Sequence, residues 1–334
     1  MKKVNRILIL HQGAIGDFIL SLPAIGAFRH HYPYATIEIW GYPDILRLVE
    51  KRFYADGIAS VERKEIAQLY NEDGVLDSQL VEQLRGFDLI VVFGQEGQRT
   101  LVDNLKKVKV DAMLWIRTFP SDGEDVHMID YQLFQLEQMG YSPIEKIPRL
   151  FLLDDDLFHA SQMLDQIQSR ENTPLIALHI GSGSKKKVWP PERFAHLTEK
   201  LVQKEGARII VPIGPADEEP VRAYCTLVSS EAITPLPNLP LTTLAAVLKR
   251  CSLYVGNDSG ITHLAAAVGI PVIALFGPTD PKVWGPRGER VSIIYRESEC
   301  SPCSREEMKQ CVHRKCLEDI TVEEVYDRIT KRRC

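Results

Sequence analysis

Long apolar runs are missing from this 334-residue sequence. No stretch reaches the roughly eighteen residues that a helix needs to span a bilayer, which sets aside a helical membrane protein. A basic excess is missing too. Lys and Arg number 40 against 45 Asp and Glu, the formal net charge is −5, and residues 1–150 hold 17 basic and 21 acidic side chains. Neither half carries the positive balance of a nucleic-acid-binding protein. The stretch "MKKVNRILILHQG" has neither the apolar core nor the small-residue cleavage site of a signal peptide. Seven cysteines, an odd number, suggest reduced thiols and a cytoplasmic protein rather than a disulfide framework. Two phosphate-binding signatures are also lacking. The first turn reads Gly13-Ala14-Ile15-Gly16-Asp17 where a dinucleotide site would read G-x-G-x-x-G, and no G-x-x-x-x-G-K-[ST] occurs. An acid directly after the second glycine repels phosphate, so Asp17 needs another use.

What is present is a repeated alternation of short Val/Ile/Leu runs with longer helical patterns, the signature of parallel sheets covered on both faces. In the first half the spacing predicts strands at Arg6–His11, Thr36–Trp40, Ile58–Val61, Asp88–Phe93 and Ala112–Ile116, with helices at Ser78–Leu84 and His127–Met139. The alternation breaks at "GYSPIEKIPRLFLLDDD", read as a linker. A second series predicts strands at Pro174–Ile180, Ala207–Ile213, Ser252–Gly256 and Pro271–Phe276, and helices near Pro191–Lys204, Asp217–Leu227, Leu241–Lys249 and Ser259–Val268. The expectation is an α/β protein of two Rossmann-like domains, residues 1–153 and 154–334, with parallel sheets facing across a cleft. The last helix is a candidate to cross back to the first domain. Pro23 leaves a choice: either it kinks a helix, or the helix starts at Ser21 and Asp17 lies in a loop.

Three stretches of the second half carry chemistry. In "YVGNDSGITHLAAAVGIPVIALFGPTDP" a strand ends at Gly256, Asp258 or Ser259 caps a helix, and the Ser259 and Gly260 amides offer an anion site, with His263 one turn in. In "LHIGSGSKKKVWPPERF" a buried strand feeds the loop Gly181–Ser184, followed by three lysines. In "IIVPIGPADEEP" a strand ends at Gly214 and Pro215, and Asp217 and Glu218 open a helix. All three lie at strand C-terminal ends, where ligands bind in open α/β sheets. Each also has a plainer reading: a helix cap, a solvated lysine run, acids complementing a helix dipole.

The ordered set "ILILHQGAIGDFILSLPAI", "HIGSGSKKKVWPPERF" and "GNDSGITHLAAAVGIPVIALFGPTDP" resembles the ADP-heptose:lipopolysaccharide heptosyltransferases, glycosyltransferase family 9, and the resemblance runs from Arg6 to the tail "ITVEEV". It implies a GT-B fold, with acceptor bound by the first domain and a nucleotide sugar by the second, and an inverting transfer that needs no metal. Asp17 matches the family's catalytic acid, Lys187 its phosphate-binding lysine and Glu218 its ribose-contacting acid. Asp258, Ser259, Gly260 and His263 match its D-[ST]-G-x-x-H donor motif. Ser182, Gly183 and Ser184 complete the donor loop, and Gly13 and Gly16 belong to the acceptor side. Ser182 and Gly183 stand where the best-known members carry a threonine pair, which leaves the donor open.

The resemblance supplies a use for Asp17. An inverting displacement needs a base opposite the leaving diphosphate, and an ionised carboxylate serves. Lys187 and a helix dipole suit the diphosphate itself. The one acidic run, Asp154-Asp155-Asp156, reads better as helix N-terminal acids than as a metal clamp. Cys300, Cys303, Cys311 and Cys316, spaced C-x₂-C-x₇-C-x₄-C with His313 among them, suit a structural zinc or an iron–sulfur centre, or stay reduced thiols. The expected partners are an ADP-sugar donor and a lipopolysaccharide-core or related glycan acceptor, without nucleic acid. A lipid-linked acceptor implies work at the inner face of the inner membrane, where Lys51-Arg52, Arg63-Lys64 and Lys106-Lys107 are candidate anionic contacts. A sugar-nucleotide epimerase of GT-B fold and a catalytically idle nucleotide-binding module are the alternatives.

Overall fold

A computed structural model describes residues 3–72, 75–121, 123–165, 167, 173–229, 231–298 and 300–331. The chain divides into two compact units, Met1–Phe151 and Leu152–Cys334. Each is a parallel sheet flanked by helices, so every strand pair needs a crossover and central strands are apolar throughout.

The first unit has five strands: β1 (Arg6–His11), β2 (Thr36–Gly41), β3 (Gly57–Ser60), β4 (Leu89–Phe93) and β5 (Ala112–Ile116), in the order β3-β2-β1-β4-β5. All neighbours pair in parallel, with Ile7 beside Ile37 on one side and Leu89 on the other. The order reverses between β1 and β4, and that reversal puts a crevice at their C-terminal ends. Asp17 lies just beyond β1. The helix after β1 runs from Ile15 to His31 and passes through Pro23 without a break in assignment. Its start at Ile15 decides between the two readings of Pro23: the helix runs through the proline, and Asp17 sits in the first helical turn rather than in a loop. Residues Phe18–Phe28 of this helix are all buried, so tertiary packing outweighs the proline's lost hydrogen bond.

The second unit holds β6 (Leu175–His179), β7 (Arg208–Ile213), β8 (Ile233–Pro237), β9 (Leu253–Asn257), β10 (Val272–Phe276) and β11 (Val291–Tyr295) in the order β11-β10-β9-β6-β7-β8. This is the strand order of a dinucleotide-binding sheet, with its reversal between β6 and β9. The edge strands β8 and β11 were not anticipated. "ITPLP" carries two prolines, which are tolerated at a sheet edge, where half the backbone groups have no ladder partner. Helices Pro191–Glu205, Glu218–Leu227, Leu241–Lys249 and Gly260–Ala267 follow β6 to β9 in turn. The final helix, Val322–Thr330, is packed within the second unit instead of being left for the first: Val322, Val325 and Ile329 belong to its hydrophobic core together with Trp189, Phe194 and Leu317.

Candidate active site

In the second unit the two strands at the reversal, β6 and β9, carry the two loops singled out in the sequence. Beyond β6 the chain turns at Gly181, where a Cβ would lie 1.7 Å from Asp217 Oδ1, so only glycine fits. A Cβ on Gly183 would meet nothing within 4 Å, which leaves that stretch of backbone open to an approaching ligand. Ser182 is buried, and its hydroxyl donates to the Asp258 carbonyl at 2.7 Å. Ser184 caps the short 3₁₀ turn Lys185–Lys187 by accepting from the Lys186 amide. That turn aims Lys187 at the other loop, where Nζ donates to Asp258 Oδ2 at 2.7 Å.

Asp258 therefore does not cap the helix that follows it. Its Oδ2 also accepts from the Thr279 hydroxyl at 2.5 Å. Ser259 is the N-cap of Gly260–Ala267 and accepts from the Thr262 amide. Gly260 opens the helix, and His263 is buried one turn in. Asn257, at the end of β9, binds the two loops together: its side-chain amide donates to the carbonyls of Ile180 and Gly181, and its Oδ1 accepts from the Trp189 amide. Beneath them runs a buried relay. Asp217 Oδ2 accepts from the Gly214 amide at 2.8 Å and from His179 Nε2 at 3.1 Å, and His179 Nδ1 lies 3.2 Å from Ser259 Oγ. Glu218, the first helical residue after β7, stays exposed beside this relay.

Burial pushes the Asp217 carboxyl up. The hydrogen bond and charge of His179 and the Gly214 amide outweigh that effect and leave it below the usual carboxylate range.

In the first unit Asp17 is half-buried at the start of its helix, with Gly16 beside it. A Cβ on Gly13 would come within 2.8 Å of Asp17 Cβ, so this glycine is what lets the acid approach the turn. The cationic pairs are largely engaged locally. Lys106 bonds Asp103 and Lys107 bonds Asn104, each one helical turn away, while the Arg63 guanidinium lies over the Trp40 ring at 4.6 Å.

The family model for glycosyltransferase family 9 (heptosyltransferase) matches residues 112–313. The chain belongs to this family. It is 22% identical over 329 residues to lipopolysaccharide heptosyltransferase 3 of Escherichia coli K12, covering 93% of each chain. The solved glycosyl transferase family 9 protein from Veillonella parvula superposes with a TM-score of 0.81 at 22% identity, over 97% of this chain and 95% of that one. E. coli heptosyltransferase WaaC with ADP superposes at 0.68 with 17% identity, over 98% and 99%. The chain is thus a glycosyltransferase with the GT-B fold. The matched segment contains Ser182 to His263 and leaves Asp17 outside it.

The sequence reading missed His179, Asn257 and Thr279, and took Asp217 for a helix acid. A polar residue ending an otherwise apolar strand, as His179 ends "LIALH" and Asn257 ends "LYVGN", was the available signal. Cys303 is pushed up to about 11 by burial and then by the neighbouring thiols of Cys300, Cys316 and Cys311. Among the described residues, however, no group of three or more His, Cys, Asp or Glu side chains is arranged to hold a metal ion. Cys334 lies outside the described residues.

The relay has a pH signature. A carboxyl held below its unfolded value, about 4, stabilises the fold above that value and loses the contribution as pH falls through the lower folded value. Asp217→Asn should therefore unfold at lower urea than the parent at pH 7, with the gap closing below about pH 4. A gap of constant size down to pH 3 would contradict the assignment.

Proposed function

We propose that the chain transfers a heptose, or a closely related sugar, from an ADP-sugar to a lipopolysaccharide-core or related glycan acceptor, with inversion at the anomeric carbon. The observation that carries the reading is the convergence, at the β6/β9 reversal, of the Lys187 ammonium with a helix N-terminus capped by Ser259. Both favour a diphosphate: a helix start offers free amides and a positive dipole end, and a lysine adds a full charge. The relative named for lipopolysaccharide heptosyltransfer and the neighbour solved with ADP support the same substrates. Glu218, exposed beside the loops, takes the ribose hydroxyls.

In the reaction the acceptor oxygen forms a bond to the anomeric carbon while the bond from that carbon to the diphosphate oxygen breaks. The electron pair leaves with ADP, whose growing charge is met by Lys187 and the Gly260 helix start. Asp17 takes the acceptor's hydroxyl proton. Asp17 belongs to the first unit, and Lys187 and Gly260 belong to the second.

Among the described residues no helix is long and apolar enough to cross a membrane. The reading places the protein in the cytoplasm, reaching a lipid-linked acceptor at the membrane's inner face.

The transfer needs no divalent ion. The tail's four thiols are a chemically suitable donor set for a structural zinc, although among the described residues they are not arranged to hold an ion. Three outcomes are expected. Calorimetry should find ADP preferred over UDP, with Lys187→Ala weakening ADP about 10–100-fold, the scale of one charge-assisted hydrogen bond. Unchanged affinity would remove Lys187 from the site, and a UDP preference would overturn the donor. Asp17→Asn should lower kcat by about 10²–10⁴-fold while ADP affinity holds, and a near-normal kcat in a folded variant would dismiss the base. Elemental analysis should find about one zinc per chain, with EDTA lowering Tm more than kcat. A zinc-free protein returns the tail to reduced thiols, and activity restored only by added magnesium would refute metal-independent transfer.

A further inference from the structure

We propose that His11 is the positioning residue that fixes Asp17 for proton transfer, an inference that rests on the reading of Asp17 as base. His11 ends β1 and is 2% exposed, its ring packed edge-on to Phe18 at 5.1 Å and tilted against Phe93 at 5.5 Å. The Gly13 amide points at His11 Nδ1 from 3.2 Å. An amide N–H can only donate, so Nδ1 is the acceptor and the ring proton sits on Nε2. Nε2 then donates to Ser21 Oγ at 3.1 Å, and the Ser21 hydroxyl donates to the Asp17 carbonyl at 2.8 Å. Ser21 Oγ takes a second donor from Gln132 Nε2, which also reaches the Thr118 carbonyl. The hydroxyl's one donor and two acceptor positions are all used.

One ring therefore grips the catalytic turn at both ends, at the Gly13 amide ahead of Asp17 and, through Ser21, at the carbonyl of Asp17 itself. The N-cap residue of this helix, Ala14, makes no side-chain cap bond. Contact is immediate: a Cβ at Gly13 would lie 2.7 Å from His11 Cε1 and 2.8 Å from Asp17 Cβ, so ring, glycine and acid meet across one backbone atom. Desolvation by burial pushes the ring's pKa down to about 3, which keeps it neutral at working pH. A protonated ring would set a donor against the Gly13 donor and release the turn.

Such a residue touches no substrate, and its loss should act on geometry. A displacement of about 1 Å costs a reacting group roughly 10²-fold in rate. The test measures kcat, KM for ADP-heptose and ADP affinity in His11→Leu, His11→Asn, Ser21→Ala and Asp17→Asn, with heptose-deficient lipopolysaccharide as acceptor. Leucine removes both hydrogen bonds. Asparagine keeps an oxygen able to accept the amide two residues on, as in an Asx-turn. We expect His11→Leu to lower kcat about 10–100-fold with ADP affinity and donor KM within about twofold, and His11→Asn to recover much of the loss. Wild-type kcat in His11→Leu, or no recovery in His11→Asn, overturns the proposal. Should His11→Leu not fold, Ser21→Ala decides: a fall in kcat of about tenfold supports the proposal, and wild-type kcat overturns it. Asp17→Asn separates the two readings. If it keeps wild-type kcat, the base itself is misassigned, whereas an inactive Asp17→Asn beside a fully active His11→Leu removes only His11.

Discussion

The second unit of this molecule depends on a buried carboxylate accepting from an imidazole. Asp217 reaches from the start of one helix under the Gly181 turn, holds the Gly214 amide at the end of β7, and through His179 orients the Ser259 hydroxyl that caps the helix after β9. One side chain thus sets the relative positions of three strand ends, which an open α/β sheet otherwise leaves to flexible loops. A buried charge is tolerated here because its Oδ2 accepts two hydrogen bonds, one of them from an imidazole. It also explains why Gly181 has no substitute: the carboxylate occupies the volume a side chain would need.

A second constraint follows from the Lys187–Asp258 pair. The lysine is held by a carboxylate that is itself shared with Thr279. Leaving a partly buried ammonium unpaired is costly, so Asp258 fixes where the cation points. In the proposed reaction the diphosphate uses the ammonium's remaining N–H groups, with Ser259 and the helix amides beside it.

Much of this was legible in the residues. The central strands were readable because buried parallel strands are uniformly apolar, and helices such as Leu241–Lys249 because their apolar spacing ends at clear stops. The two loops after β6 and β9 were readable because glycines, small polar residues and a helix start recur at strand ends. Three things were not. Edge strand β8 carries two prolines that imitate a turn. The helix Ile15–His31 is buried on nearly every face, so it has no polar stripe to betray its period, and Pro23 argues against it locally. His179 and Asp217 are joined to partners distant in sequence, and a lone buried histidine such as His11 gives no sign of what its two nitrogens face, even when the partners, Gly13 and Ser21, are near.

The proposed reaction is a single displacement at the anomeric carbon, with Asp17 drawing the acceptor's proton as ADP departs. The most direct measurement is the anomeric configuration of the newly attached sugar, read by NMR of the product formed from ADP-heptose of known configuration. Inversion is the predicted result. A product that retains the donor's configuration would require a second displacement and a covalent or ion-paired intermediate, and would contradict the mechanism built on Asp17.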